Sequence, residues 1–236
     1  MTRPTARRSR RAVLTTIGVA LGTVSAGCLG NGVDRNDGSE GTELPTTRSD
    51  HPAASDVEGP RLGPAIGEAD ATVVAFEDPS CPVCAGFARR TLPTLREEAI
   101  DPGAVTYLYR ATPGTEPWSH PATRALFSVY RQGSDGFWTL KDRYYEGIDA
   151  LDDDSIRDRT LEILEDDVAD AEPEAVLEAM DGNDDAVEER LERDEAAADA
   201  SDLTQTPSFV LFRDGEYRTT VAGNQPYDVF EGALEL

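Results

Sequence analysis

Two cysteines separated by Pro-Val, Cys81-Pro82-Val83-Cys84, are the residues best suited to chemistry in this chain. They follow the β-branched apolar run Thr72-Val73-Val74-Ala75-Phe76 and open a stretch that reads as helix. A sulfur at a helix N-terminus meets unpaired backbone N–H groups and the positive end of the helix dipole, which favour a thiolate. Cys84 lies about one turn further in, so the two sulfurs can close a disulfide. Thiolate is the nucleophile of disulfide exchange. The spacing therefore predicts an exposed, thiolate-prone attacking Cys81 and a more buried, resolving Cys84. Other uses of the pair fit less well. Zinc needs four ligands, but the remaining cysteine is Cys28 and the histidines are His51 and His120. A c-type haem needs histidine directly after the second cysteine, where Ala85 stands. A purely structural disulfide over so short a loop would remove little unfolded-state entropy. No metal and no cofactor is expected.

The elements that must hold this pair are legible from periodicity. Residues 72–76 and Val105-Thr106-Tyr107-Leu108-Tyr109 read as buried strands. Between them a helix is predicted from Pro82 to about Glu98, kinked or divided by Pro93. This is a βαβ unit, so the two strands should run parallel. Residues 120–200 read as helical, with Ser119 a candidate cap and Ile156, Thr160, Leu164 and Val168 recurring every four residues. Residues 152–199 hold 21 acids against four arginines; such a run reads as solvated helix faces. The chain then turns β again: Ser208–Phe212, a turn at Arg213-Asp214-Gly215, and Tyr217–Val221. Pro226–Leu236 closes as a helix. Trp118, Trp138 and the His120-Pro121 pair read as packing residues.

Strand, CxxC, helix, strand, helical insertion and then Thr206-Pro207 before a strand resemble the thioredoxin superfamily, and the insertion resembles its DsbA-like branch. The stretch Val73-Val74-Ala75-Phe76-Glu77-Asp78-Pro79-Ser80-Cys81-Pro82-Val83-Cys84 is similar to that branch's active-site segment. Gln205-Thr206-Pro207-Ser208-Phe209 is similar to its proline loop. The resemblance implies an α/β thioredoxin-like fold over about residues 61–236, β-α-β, an insertion at about 118–200, then β-β-α. It implies catalytic Cys81 and Cys84 and a cis Thr206-Pro207 bond, with Thr206 offering backbone groups to an extended substrate. The sequence departs from the family in two places. The buried acid often found six residues before the first cysteine is replaced by Ala75, leaving Glu77 as a candidate for proton transfer or a solvated strand-end acid. Val83 stands where the strongest oxidants carry histidine.

Composition bears on where such a protein works. The chain has 236 residues, 39% hydrophobic, with 22 basic and 46 acidic side chains and a net charge of −24. That charge repels nucleic acid. Of the basic residues, 21 are arginine and only Lys141 is lysine. Salt shortens the reach of self-repulsion to about 3 Å at 1 M, so an acidic, nearly lysine-free chain resembles proteins of salt-loving organisms. Residues 1–27 carry five arginines and no acid. Ser9-Arg10-Arg11-Ala12-Val13-Leu14 resembles a twin-arginine export signal, and Ser25-Ala26-Gly27-Cys28 a lipobox, with Ser25 departing from the usual leucine. Residues 1–27 are thus read as a signal peptide. Residues 28–60 are read as a flexible tether carrying lipid on Cys28. The expectation is an extracytoplasmic, membrane-tethered oxidoreductase acting on exported proteins with thiols or disulfides, oxidising their thiols, and reset by a redox partner. The alternatives are a reductase for cytochrome or metal-centre assembly, and a non-catalytic thioredoxin-like binding lipoprotein.

Overall fold

The computed structural model of the chain describes Arg48 and residues 50–55, 58–168 and 170–236. The expectations for Arg10, Arg11 and Cys28 lie outside the described residues. A mixed sheet is built from β1 (Arg61–Leu62), β2 (Ala71–Glu77), β3 (Val105–Ala111), β4 (Ser208–Arg213) and β5 (Glu216–Ala222) in the order β1-β3-β2-β4-β5. The β2–β3 pair is parallel, with Phe76 opposite Arg110 and Glu77 opposite Ala111. All other pairs are antiparallel. Every residue of β2 and β3 is buried, which explains their near-continuous apolar character.

Each sheet face has its own cover. On one face Val73, Ala75, Tyr107, Phe209 and Leu211 pack against Phe87 of α1 (Pro82–Arg90), Leu92 and Leu95 of α2 (Leu92–Leu95), and Phe230 and Leu234 of α8 (Tyr227–Leu234). On the other, Val74, Phe76, Leu108, Val210 and Phe212 meet Ala197 and Ala198 of α7 (Asp185–Ala200). The insertion comprises α3 (Ser119–Gln132), α4 (Ser134–Gly147), α5 (Ile156–Asp167), α6 (Pro173–Met180) and α7. Its core is built on Leu126, Phe127, Phe137, Tyr144 and Leu164 and reaches to Cys81 and Cys84. The cysteine pair therefore sits where insertion and sheet meet.

As expected, the helix after CxxC is divided near Pro93: it breaks after Arg90, resumes over Leu92–Leu95 and ends in a π turn, Arg96–Ile100. Pro93 has no N–H to continue the first helix's ladder. Elsewhere the fold differs from expectation. Ser119 does not cap α3, whose preceding residue is Trp118; its hydroxyl instead donates to Asp78 Oδ1 at 2.5 Å. The packed part of the chain starts ahead of Arg61, because His51 is buried, stacks on Tyr217 with ring centroids 5.0 Å apart and starts the 3₁₀ turn Pro52–Ala54. Small Ala53 and Ala54 fill the sheet face there. Finally, the acidic run is not wholly solvated, since Asp194 is fully buried.

Candidate active site

Cys81 caps α1, and its Sγ accepts the Cys84 backbone N–H at 3.4 Å. Both sulfurs are free thiols. Contrary to expectation, Cys81 is only 5% exposed. The carbonyl of Thr206 lies over it, 3.4 Å from Sγ. The solvent-facing position of the motif is Val83, 45% exposed. The Thr206–Pro207 bond is cis, and Gly223 N–H donates to the Pro207 carbonyl at 2.8 Å.

The two sulfurs are displaced in opposite directions. A hydrogen bond from Cys84 holds the Cys81 thiol down at about 6, helped by the Thr206 side chain and the amides of Val83 and Cys84, while burial opposes. Burial pushes Cys84 well up, and the hydrogen bond to Cys81 and the nearby Glu77 charge push it the same way. One sulfur is thus a ready thiolate and the other a firm thiol.

Glu77 is not a solvated strand-end acid. It is fully buried, on the sheet face that carries the cysteine helix. Tyr107 Oη donates to its Oε1 at 2.6 Å, Tyr145 Oη to its Oε2 at 2.9 Å, and Lys141 Nζ reaches Oε2 at 3.1 Å. Burial holds both phenols well above their ordinary range, reinforced by the Glu77 charge, so they remain donors. Asp78, also buried, is a further residue of the site. Its Oδ1 accepts from Ser80 N–H at 2.7 Å and Ser80 Oγ at 2.8 Å. Its Oδ2 accepts from Gly114 N–H at 3.0 Å and Thr115 N–H at 2.8 Å. One buried carboxylate thereby clamps the turn before Cys81 to the loop after β3. The sequence signal for it was an acid directly after a buried strand, in the Asp-x-Ser pattern of a side-chain turn.

The tryptophans are packing residues: Trp118 lies edge-on to Tyr144, and Trp138 packs against Tyr107 and Tyr109. His120, half-buried, sits in the first turn of α3. Among the described residues no group of three or more His, Cys, Asp or Glu side chains is arranged to hold a metal.

Comparison with known proteins places this geometry. The profile of the thioredoxin family matches residues 61–235. The chain belongs to that family. It is similar to disulfide bond formation protein D of Bacillus subtilis, 24% identical over 150 residues, 63% of this chain and 67% of that one. It is 35% identical over 83 residues to a probable disulfide bond formation protein D of Bacillus cereus, spanning 34% of this chain and only 38% of that relative. Among solved structures, oxidised BdbD of Bacillus subtilis superposes with a TM-score of 0.63 at 20% identity, over 75% of this chain and 91% of that one. Wolbachia pipientis alpha-DsbA1 gives 0.61 at 18%, over 75% and 88%. These two likenesses show the thioredoxin-like fold, insertion included.

Proposed function

We propose that this thioredoxin-family protein is a thiol–disulfide oxidoreductase that oxidises thiols of exported proteins. The observation that carries the proposal is the asymmetry of two touching sulfurs, Cys81 held down at about 6 and Cys84 pushed well up. In the oxidising direction a substrate thiolate attacks Cys81 Sγ of the disulfide. A substrate–Cys81 bond forms, the Cys81–Cys84 bond breaks, and Cys84 leaves with the electron pair and takes up a proton. A second substrate thiolate then attacks the substrate sulfur and expels Cys81 as thiolate. The substrate loses two electrons and two protons; the protein ends as Cys81 thiolate and Cys84 thiol. A redox partner that accepts two electrons restores the disulfide. Thr206 and Pro207 line the approach to Cys81, and Thr206 offers its backbone to the incoming chain. Glu77, buried beside the pair, serves proton transfer at Cys84. Oxidation rather than reduction is supported by the names of the Bacillus relatives.

Cys84→Ala should trap substrates as mixed disulfides through Cys81, visible on non-reducing gels and absent in Cys81→Ala. No trapped species from a folded Cys84→Ala protein would overturn the catalytic reading. A reduction potential near the oxidising end of the family range supports the oxidase, one near thioredoxin's the reductase.

The reading extends to location. Residues 1–27 act as a twin-arginine signal through Arg10 and Arg11, and Cys28 carries lipid that holds the domain at the outer face of the membrane. No helix among the described residues is long and apolar enough to cross one. Cys28→Ser should release the protein from the membrane fraction. The 46 acids suit concentrated salt, so the melting temperature should rise with added salt as self-repulsion is screened.

A further inference from the structure

Glu77 ends β2 opposite Ala111 at the end of β3, and the two strands run parallel. The loop after β3 therefore leaves the sheet at the same edge as the cysteine turn, the edge where open α/β sheets take ligands. Two side chains that the exchange chemistry does not use hold this loop, residues 112–118, against the turn. Asp78 Oδ2 receives the N–H groups of Gly114 and Thr115, and its Oδ1 receives the Ser119 hydroxyl at the start of α3. Ser80 Oγ, in the residue directly before Cys81, accepts the Glu116 N–H at 3.1 Å. Gly114 sits at a φ of +149°, a conformation that costs glycine little and other residues more. The backbone of Glu116 is thus fixed beside the cysteine turn, while its side chain is exposed.

Charge gives that placement a consequence. The chain has 46 acids, but segments 79–96, 112–118 and 203–213, which supply the cysteines, this loop and the Thr206–Pro207 turn, contain Glu116 alone. The cations of the cysteine helix, Arg89 and Arg90, stand in its last turn, and Arg89 donates to the Tyr145 carbonyl at 2.9 Å. At the Cys81 end of that helix Pro82 and Val83 are exposed and uncharged. A substrate chain laid over Cys81 therefore meets one negative charge, on a loop that does not have to be ordered first. We propose that the 112–118 loop is a specificity wall of the exchange site, where the Glu116 carboxylate favours substrates with lysine or arginine beside the reacting cysteine over those with an acid there. Asp78 and Ser80 are its positioning residues, because a loop already held in place spares the encounter the entropy of ordering it. The inference rests on the exchange reading above and adds the substrate class. The contact is exposed to water, so the preference is about two- to fivefold, or about 0.4–1 kcal/mol at 1.4 kcal/mol per tenfold.

The test measures kcat/KM of the oxidised protein with two dithiol peptides that differ only in lysine or glutamate beside the attacking cysteine. The net charge of −24 draws a cationic peptide to the whole surface, so the control removes one charge elsewhere. Asp101, exposed in the turn that leads into β3, lies at the opposite edge of the sheet. Glu116→Gln should lower the lysine-to-glutamate ratio about two- to fivefold, Glu116→Lys should lower it further, and Asp101→Asn should leave it in place. Asp78→Asn keeps an acceptor for the Ser80 turn but not a second carboxylate oxygen for Gly114 and Thr115. It should lower the ratio in the same direction by freeing the loop; if it does not fold, the exposed Glu116 variants decide alone. In the reduced Glu116 variants the alkylation midpoint of Cys81 should stay at about 6, whereas a general disturbance of the site would move it. A ratio unchanged by Glu116→Gln, or lowered equally by Asp101→Asn, would overturn the inference. A wild-type protein that exchanges with neither peptide would remove the exchange reading as well, whereas normal exchange with a ratio indifferent to Glu116 removes this inference alone.

Discussion

Two buried ion pairs join the helical insertion to the sheet, one on each face. Glu77–Lys141 lies on the face of the cysteine helix, and Arg110–Asp194 on the face covered by α7. Each carboxylate is held by several partners. For Glu77 these are two phenols and an ammonium. Asp194 accepts from Arg110 Nη1 at 3.0 Å and the Ala111 N–H at 2.9 Å, and pairs in charge with Arg190 at 3.1 Å. The difference lies in what the partners are. Arg110 is a permanently charged fork that also donates to the Ser55 carbonyl and lies over Phe76. It fastens α7, β3 and the N-terminal turn together. Lys141 is a point charge held among aromatic rings. The same kind of pair fastens three elements together on one face and stands close to the buried Cys84 on the other.

The largest expected effect separates these roles. Asp194→Ala takes the carboxylate from a buried guanidinium and should cost about 3–5 kcal/mol of stability, read as a fall in the denaturant midpoint. The exchange rate of the remaining folded protein should not change. A changed rate or a shifted Cys81 titration would mean that the two faces are coupled and would break the distinction.

The next effect belongs to the cysteine face alone. In the reduced protein Cys81 should become thiolate through about pH 6, followed by thiolate absorbance or by the pH dependence of alkylation. Cys84 supplies the largest downward influence on it. Cys84→Ala should therefore move that midpoint upward by about one to two pH units, since each unit corresponds to 1.36 kcal/mol of lost preference for the thiolate. An unmoved midpoint would assign the effect to the helix N-terminus and the Thr206 contact instead.

How much of this could be read beforehand follows from the range of each interaction. Strands β2 to β5, the CxxC cap and the closing hairpin are local patterns, and the structure has them within one or two residues of the predicted ends, whereas the two-residue β1 is too short to leave a pattern. Glu77 looked solvated because its partners lie 30, 64 and 68 residues away. A single acid ending a strand carries no local mark of such burial. Asp194 was hidden among 21 acids, although it falls in step with buried Val187, Leu191 and Ala198 on α7. His51 and its alanines were lost in a polar stretch because small residues add little to a hydrophobic pattern. The one unused signal was compositional: a single lysine among 22 basic residues marks a place where arginine does not substitute.

A smaller change sharpens the fastener. Arg110→Lys keeps the charge but loses the fork that reaches both Asp194 and Ser55. It should cost about 1.5–3 kcal/mol, the worth of a charge-assisted hydrogen bond. Chemical denaturation reads it, and a neutral result would mean that charge alone holds this face.

The smallest effect concerns pH on the same face. His51 Nδ1 accepts the Ala53 N–H at 3.1 Å, and its ring packs on Tyr217 and edge-on to Phe212. Burial lowers its pKa, so the folded state favours the neutral ring. Below about pH 6.5 the unfolded chain takes up a proton that the folded chain resists. Stability should then fall as pH drops through that value and level off below the lowered folded one, by up to about 1 kcal/mol. In the reduced protein Cys81 adds a loss of the same sign, because its depressed thiol gives up stability as pH falls through about 6. The measurement therefore belongs to the oxidised protein, whose sulfurs do not titrate. Asp142 and Asp194 are raised by burial and act with the opposite sign, but equally in wild type and variant. His51→Asn retains an acceptor for the Ala53 N–H and cannot titrate. The difference in urea midpoints between wild type and His51→Asn, taken at pH 7.5 and again at pH 5.5, isolates the histidine. If it is the same at both, the N-terminal turn is held by packing and the Arg110–Asp194 pair, and His51 contributes no pH dependence to this face.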